Sequence, residues 1–186
     1  MGIVKVNRTG KKYNVYRSNA CNSDEIIGTI YNNEVFTWTG EWSGSSASGY
    51  YVQSIVFRNS DGEKDGGWVV GEGTDAIFST NLSEMAAKKV TVDGKSYYAF
   101  KMRRDSTLYD KSGNRLKKTA YKNRYILTEG STSGVKNPGY LAVKYVESGV
   151  GTNEYTEIET GSYAFVDLQY YVGSTMGSDF LLIGKI

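Results

Sequence analysis

Aromatic side chains are the most conspicuous chemical resource of this chain. It carries 16 Tyr and three Trp, and a group of them gathers in the first third: Tyr13, Tyr16, Trp38, Trp42, Tyr50 and Tyr51. A Tyr or Trp ring offers a large apolar face and a polar tip, so such a group stacks on sugar faces or docks a peptide. Trp42 is the member hardest to assign to a core. It stands in Gly40-Glu41-Trp42-Ser43-Gly44-Ser45-Ser46-Ala47-Ser48-Gly49, a stretch that cannot bury an indole by itself. Large exposed aromatics mark interfaces, so these six residues are the candidate ligand-binding set. The plainer alternatives are a Trp folded back over its own domain or buried against another subunit.

Three further groups have less chemistry to offer. Glu154, Glu157 and Glu159 form an acidic trio. Glu157 and Glu159 would share a strand face about 7 Å apart, a spacing that suits paired carboxylates or an ion site. Nothing nearby fixes a deep cleft, and no Asp-rich glycine loop is present, so neither catalysis nor metal binding is expected. The segment Lys111–Arg124 interleaves cations with Tyr109, Tyr121 and Tyr125, the pattern of single-strand nucleic-acid grooves. A compensating acidic segment follows it, and no nucleic-acid partner is expected. Cys21 has no base beside it and reads as a small polar-loop side chain.

Absences exclude more. The chain has no His, which removes serine–histidine and cysteine–histidine nucleophile pairs and His-based zinc sites. One Cys forms neither an internal disulfide nor a thiolate cluster. The expectation is therefore a non-enzymatic protein with no catalytic residues, no metal ligands and no cofactor.

Net charge is +2, but it is unevenly laid out. Lys101 to Arg124 holds nine basic residues against Asp105 and Asp110, whereas Tyr145 to Gly184 holds no basic residue and six acidic ones. Strands that pair opposite charges on a solvated surface account for this; the functional alternative is contact with a neighbouring subunit or an anionic polymer. No apolar run approaches the roughly 18–20 residues of a membrane span. The Met-Gly-Ile-Val-Lys-Val start has no signal-peptide pattern. The expected routes are cytoplasmic synthesis with release by lysis or assembly into a particle, or secretion if a leader has been trimmed.

The elements that must position these residues are strands. Ile3–Val6, Val35–Thr39, Tyr50–Phe57, Trp68–Val70, Tyr97–Met102, Tyr125–Thr128, Tyr140–Val146 and Tyr163–Leu168 are short and rich in β-branched and aromatic residues, with Gly, Ser, Asn or Asp at their ends. Asp93-Gly94 between two such runs predicts a two-residue hairpin. One helix is expected, Leu82 to Lys89, with Asn81 as N-cap and Glu84 at capping-box spacing.

The chain also resembles itself. Val15-Tyr16 … Ile26-Ile27-Gly28-Thr29-Ile30-Tyr31-Asn32-Asn33-Glu34-Val35-Phe36 has a counterpart in Leu108-Tyr109 … Leu116-Lys117-Lys118-Thr119-Ala120-Tyr121-Lys122-Asn123-Arg124-Tyr125-Ile126. Gly67-Trp68-Val69-Val70 answers to Ser162–Val166, and Ile3–Arg8 to Tyr98–Arg103, with an insertion near Ser148–Thr160 in the second copy. Two all-β modules are expected, 1–80 and 97–186, with 81–96 as connector.

Asn14-Val15-Tyr16-Arg17-Ser18, the run Ile26 to Val35 and Gly67-Trp68-Val69 together resemble the bacterial SH3-like (SH3b) family over most of residues 13–73. The second module departs from that pattern: it lacks the Arg-Ser dipeptide, and no Trp follows Ser162. The resemblance implies two small SH3-like β-barrels joined by a short helix and hairpin. It implies a non-catalytic module that recognises peptidoglycan or another wall glycan or peptide, as part of a phage, a phage-tail-like particle or a lytic system. The alternative is a structural subunit of such a particle, whose aromatics mate with neighbouring subunits or with further copies of the chain.

Overall fold

The computed structural model describes residues 3–32, 34–43, 51–59, 63–71, 80–129, 140–167, 170–172 and 175–177. Tyr50 lies outside them, as does the side chain of Trp42. The fold is all-β. In the first half run β1 (Ile3–Val6), β2 (Tyr13–Tyr16), β3 (Ile26–Ile30), β4 (Val35–Ser43), β5 (Val52–Arg58), β6 (Lys64–Val70) and β7 (Thr80–Asn81). After a 3-10 turn at Leu82–Met85 come β8 (Lys88–Val92), β9 (Lys95–Lys101), β10 (Ser106–Tyr109), β11 (Arg115–Ala120) and β12 (Tyr125–Thr128). The chain continues with β13 (Tyr140–Val143), β14 (Tyr145–Glu147), β15 (Tyr155–Glu157), β16 (Ala164–Asp167) and a hairpin of β17 (Tyr170–Val172) and β18 (Thr175–Gly177).

The first half forms one antiparallel seven-stranded sheet in the order β3-β2-β6-β5-β4-β1-β7. This sheet curls into a half-barrel. Laid flat, β3 and β4 would stand about 19 Å apart, four strand spacings. Yet only Tyr31–Glu34 joins them, in a turn where the Glu34 N–H donates to the Tyr31 carbonyl at 3.1 Å, and a β-turn closes over less than about 7 Å. The curl wraps a small core to which all five strands β2 to β6 contribute: Val15, Ile30, Phe36, Ile55, Phe57 and Val69. Phe57 on β5 crosses to Gly28 on β3, where an added Cβ would sit 2.8 Å from its Cζ. At Gly67 a Cβ would run into Val15 and lie 3.0 Å from the Tyr16 carbonyl. Strand interiors usually disfavour glycine; here it admits the close approach that the curl demands.

Besides the β17–β18 hairpin, the second half contains two larger sheets, β11-β10-β16-β13 and β15-β14-β12-β9-β8. The expected single strand Tyr140–Val146 is two strands, because the chain switches sheets at Lys144, whose N–H donates to Leu127 at 2.8 Å. Such corners are how packed sheets share a strand. With β13 and β14 counted as one bent strand, the pairing order of the second half is β11-β10-β16-β13/β14-β12-β9. Strand for strand, that repeats β3-β2-β6-β5-β4-β1. The turns repeat as well: Arg124 N–H donates to Tyr121 as Glu34 does to Tyr31, and Met102 N–H reaches the Arg124 carbonyl as Asn7 N–H reaches that of Glu34, both at 2.9 Å. The insertion supplies one added strand, β15.

The helix expected over Leu82–Lys89 is corrected to a single 3-10 turn, Leu82–Met85, after which Lys88 and Lys89 belong to β8. The Asp93-Gly94 hairpin is present, both residues at positive φ (49° and 78°) as a type I′ turn requires. Leu82, Met85 and Ala86 are buried in the largest apolar cluster. It takes Val6 and Val35 from the first sheet and Phe100, Met102, Leu108, Ile126, Leu141, Val143 and Val166 from the second half. Hydrogen bonding divides the halves between β7 and β8, but this core spans both. Among the described residues, no helix is long and apolar enough to cross a membrane.

Candidate functional site

The described side chains among the six aromatics of the first half do not share one surface. Strand alternation places Tyr13 in the core-facing row with Val15, where it packs on the curled core, and Tyr16 on the opposite face. Tyr16 pairs with Trp68 in register. Trp38 pairs with Ile55 and is half-buried; its Nε1–H donates to the Glu41 carbonyl at 3.2 Å, and the Lys5 ammonium lies 5.9 Å from its ring centroid. Trp42 pairs with Gln53 beyond a register shift in β4. Tyr51 is half-buried and its carbonyl accepts the Gly71 N–H.

The split charges meet directly in one pair, and two further pairs flank it. Lys118 on β11 pairs with Glu159 at 3.0 Å and also donates to the Ile158 carbonyl. Lys144 pairs with Glu157, and Lys95 with Glu129 at 2.6 Å. The Lys144 contact and the Gly161 N–H hold the Glu157 carboxyl below the usual carboxylate range. Of the acidic trio, Glu159 is a partner of the basic strand and Glu157 of Lys144. Among the described residues, no group of three acidic or thiol side chains is placed to hold a metal ion. Cys21 sits at φ 54°, and burial, aided by the nearby Glu25 charge, pushes its thiol up to about 11, away from nucleophilic chemistry.

Residues that sequence reasoning did not combine define the site with the most chemical content. A cleft of about 430 Å³ opens between β11 and β15, edge strands of the two sheets of the second half. That volume falls within the roughly 300–1,000 Å³ of small-molecule sites. Leu108, Val146 and Ile158 give it apolar walls, and Thr119, Tyr121, Ser148 and Thr156 bring hydroxyl groups. Ser148 and Thr156 already touch through their hydroxyls at 2.7 Å.

Tyr121 and Arg124 stand at either end of the turn that links β11 to β12, with Asn123 at φ 66° between them. Tyr121 is 49% exposed, one of few large apolar side chains left open to solvent among the described residues. The Arg124 guanidinium stacks 4.9 Å from the Tyr121 ring centroid, and its Nη1 donates to the Ser148 carbonyl at 2.9 Å. Its Nε–H is buried with no acceptor. Two carboxylates border the cleft, and neither forms an ion pair with Arg124. Glu147 is fully buried and accepts the Tyr125 and Asn153 N–H groups, at 3.1 and 3.2 Å, while Glu157 is committed to Lys144. By strand alternation both belong to the row of Tyr145, on the far side of the sheet from Val146.

The corresponding turn of the first half has Tyr31, 52% exposed, and Glu34 in place of Arg124. Among the described residues it has no counterpart of β15, and the cleft forms at the repeat turn that the insertion faces. Tyr121 was legible as part of the basic, aromatic stretch; its pairing with Ser148 and Thr156 needed the topology. No family model, curated protein or solved structure matches the chain.

Proposed function

We propose that this chain is a non-catalytic binding protein of two SH3-like modules, 1–80 and 97–186, which recognises bacterial wall polymer as part of a phage, a phage-tail-like particle or a lytic system. The observation that carries the reading is the β11–β15 cleft, where an exposed tyrosine braced by a guanidinium stands beside a hydroxyl-rich wall. An aromatic ring stacks on a sugar face, and hydroxyls exchange hydrogen bonds with those of a glycan. The family resemblance supports the same class of ligand. The matching strand order of the two halves supports the modular reading.

Co-sedimentation with purified peptidoglycan sacculi tests it. Wild type should pellet with sacculi and Tyr121→Ala should lose most of that binding, while Tyr31→Ala should retain it. Equal recovery of wild type and Tyr121→Ala would refute the cleft as the wall site.

A specific feature favours the alternative of a structural particle subunit. Edge strand β3, Ile-Ile-Gly-Thr-Ile, carries no charge or proline, and Ile26 at its start is 44% exposed. Edge strands are normally blunted by such residues against pairing with another chain. Concentration-dependent association abolished by Ile26→Lys would support assembly through this edge.

A further inference from the structure

We propose that the β11–β15 cleft selects an acidic saccharide, gripping a ligand carboxylate with Arg124 while the sugar ring lies against Tyr121. This rests on the binding role proposed for the cleft and names the chemistry it selects. Arg124 is a permanent cation, yet among the described residues its guanidinium makes one hydrogen bond, to the Ser148 carbonyl, and one ring contact, with Tyr121. The fork of a guanidinium matches a carboxylate bidentately, and here one prong, the Nε–H, has no acceptor. A buried donor left unmade costs about 1–3 kcal/mol, so an entering carboxylate supplies a partner that the fold withholds. Taking it side-on requires the guanidinium to tilt away from its packed position while the Tyr121 stack is kept.

Most of the neighbouring charges are already paired. Lys118 is paired with Glu159 and also donates to the Ile158 carbonyl, and Glu157 is paired with Lys144. Glu147 keeps its charge, with its oxygens on two backbone N–H groups, and Lys117 adds a cation to the lining. Arg124 stands on the cleft's β12 side without an ion pair among the described residues. The hydroxyls of Ser148, Thr156 and Tyr121, together with the aromatic face, favour a sugar carboxylate over a simple inorganic anion. A neutral sugar would stack equally well but leave Arg124 unanswered.

N-acetylmuramic acid and N-acetylglucosamine provide the test, since they share a ring and differ by a lactyl carboxylate. Each is titrated into the ¹⁵N-labelled full chain with the arginine Nε–H resonances observed. The acidic sugar should bind about tenfold more tightly, the worth of a charge-assisted hydrogen bond, and should shift the Arg124 Nε–H signal. Arg124→Gln should erase the difference between the sugars, and Tyr121→Phe should keep it. Equal affinities in wild type, or an acidic preference with no response at Arg124, would overturn the proposal, and neither outcome depends on a variant folding. Sacculus binding that persists with no sugar-acid preference refutes this inference and leaves the wall reading standing. The preference without sacculus binding does the reverse.

Discussion

The contact of Gly28 with Phe57 tests whether the first sheet curls. The two residues belong to β3 and β5, which have β2 and β6 between them in the sheet. Only a curled sheet brings them together. A methyl group at position 28 would lie within 2.8 Å of the Phe57 ring. The ring is 4% exposed and packed among Val15, Ile30, Phe36, Ile55 and Val69, so it cannot step aside freely. Overpacking of this kind costs about 1–3 kcal/mol, partly offset by the roughly 0.4–1 kcal/mol gained when alanine restricts the unfolded chain. Gly28→Ala should therefore destabilise the protein by about 1–2 kcal/mol, a fall of roughly 0.5–1 M in the urea midpoint at an m-value of about 2 kcal/mol per M. Phe57→Leu removes the obstructing ring edge, so the double variant should lose less than the sum of the single losses. Gly66→Ala is the control, because its nearest neighbour is a backbone oxygen 4.0 Å away; it should change stability by no more than about 0.5 kcal/mol. Additive effects of Gly28→Ala and Phe57→Leu in urea titrations would mean that the residues do not touch, and the argument for the curl would fail.

Other expectations follow from single groups. All three Trp lie in the first half, at 38, 42 and 68, while one apolar cluster spans both halves; tryptophan fluorescence and far-UV circular dichroism should therefore report one coincident thermal transition. Leu82→Ala, in that shared cluster, should cost about 2–5 kcal/mol and lower the transition seen by both probes; two separated transitions in wild type would contradict the shared core. Burial raises the Glu34 carboxyl to about 6 against the lowering effect of the Tyr31 N–H. A carboxyl raised by folding contributes stability below its unfolded pKa and loses it as pH rises through its folded one. Melting temperature should thus fall between about pH 4.5 and 6.5, and Glu34→Gln should flatten that part of the profile. Gly94→Ala, at φ 78° in the hairpin turn, should cost about 1 kcal/mol from the left-handed backbone, readable in a urea titration.

Strand character was written in local alternation, and Ile3–Val6 and Tyr125–Thr128 are strands with the bounds their residues predict. The connector shows where local signals compete. Asn81 and Glu84 do start a turn at Leu82, but Lys88-Lys89-Val90-Thr91-Val92 has period two and leads into Asp93-Gly94. With β9 available as a partner, the ladder from Lys88–Ala99 to Val92–Lys95 prevails over helix propensity. The corner at Lys144 was invisible because alternation continues through it while the hydrogen-bonding partners change from β16 to β12. The cleft was hidden for a related reason. Tyr121 and Arg124 read as parts of a basic stretch and Ser148 and Thr156 as parts of an insertion, and only the return of β15 beside β14 brings them to one opening.

The central claim is that the β11–β15 cleft takes wall polymer. Chemical-shift mapping with soluble peptidoglycan fragments reads that most directly, because it reports both binding and place. The account predicts saturable shifts concentrated at Tyr121, Arg124, Ser148 and Thr156, with the Tyr31–Glu34 turn unaffected. No shifts, or shifts confined to the first-half aromatics around Tyr16 and Trp38, would contradict it.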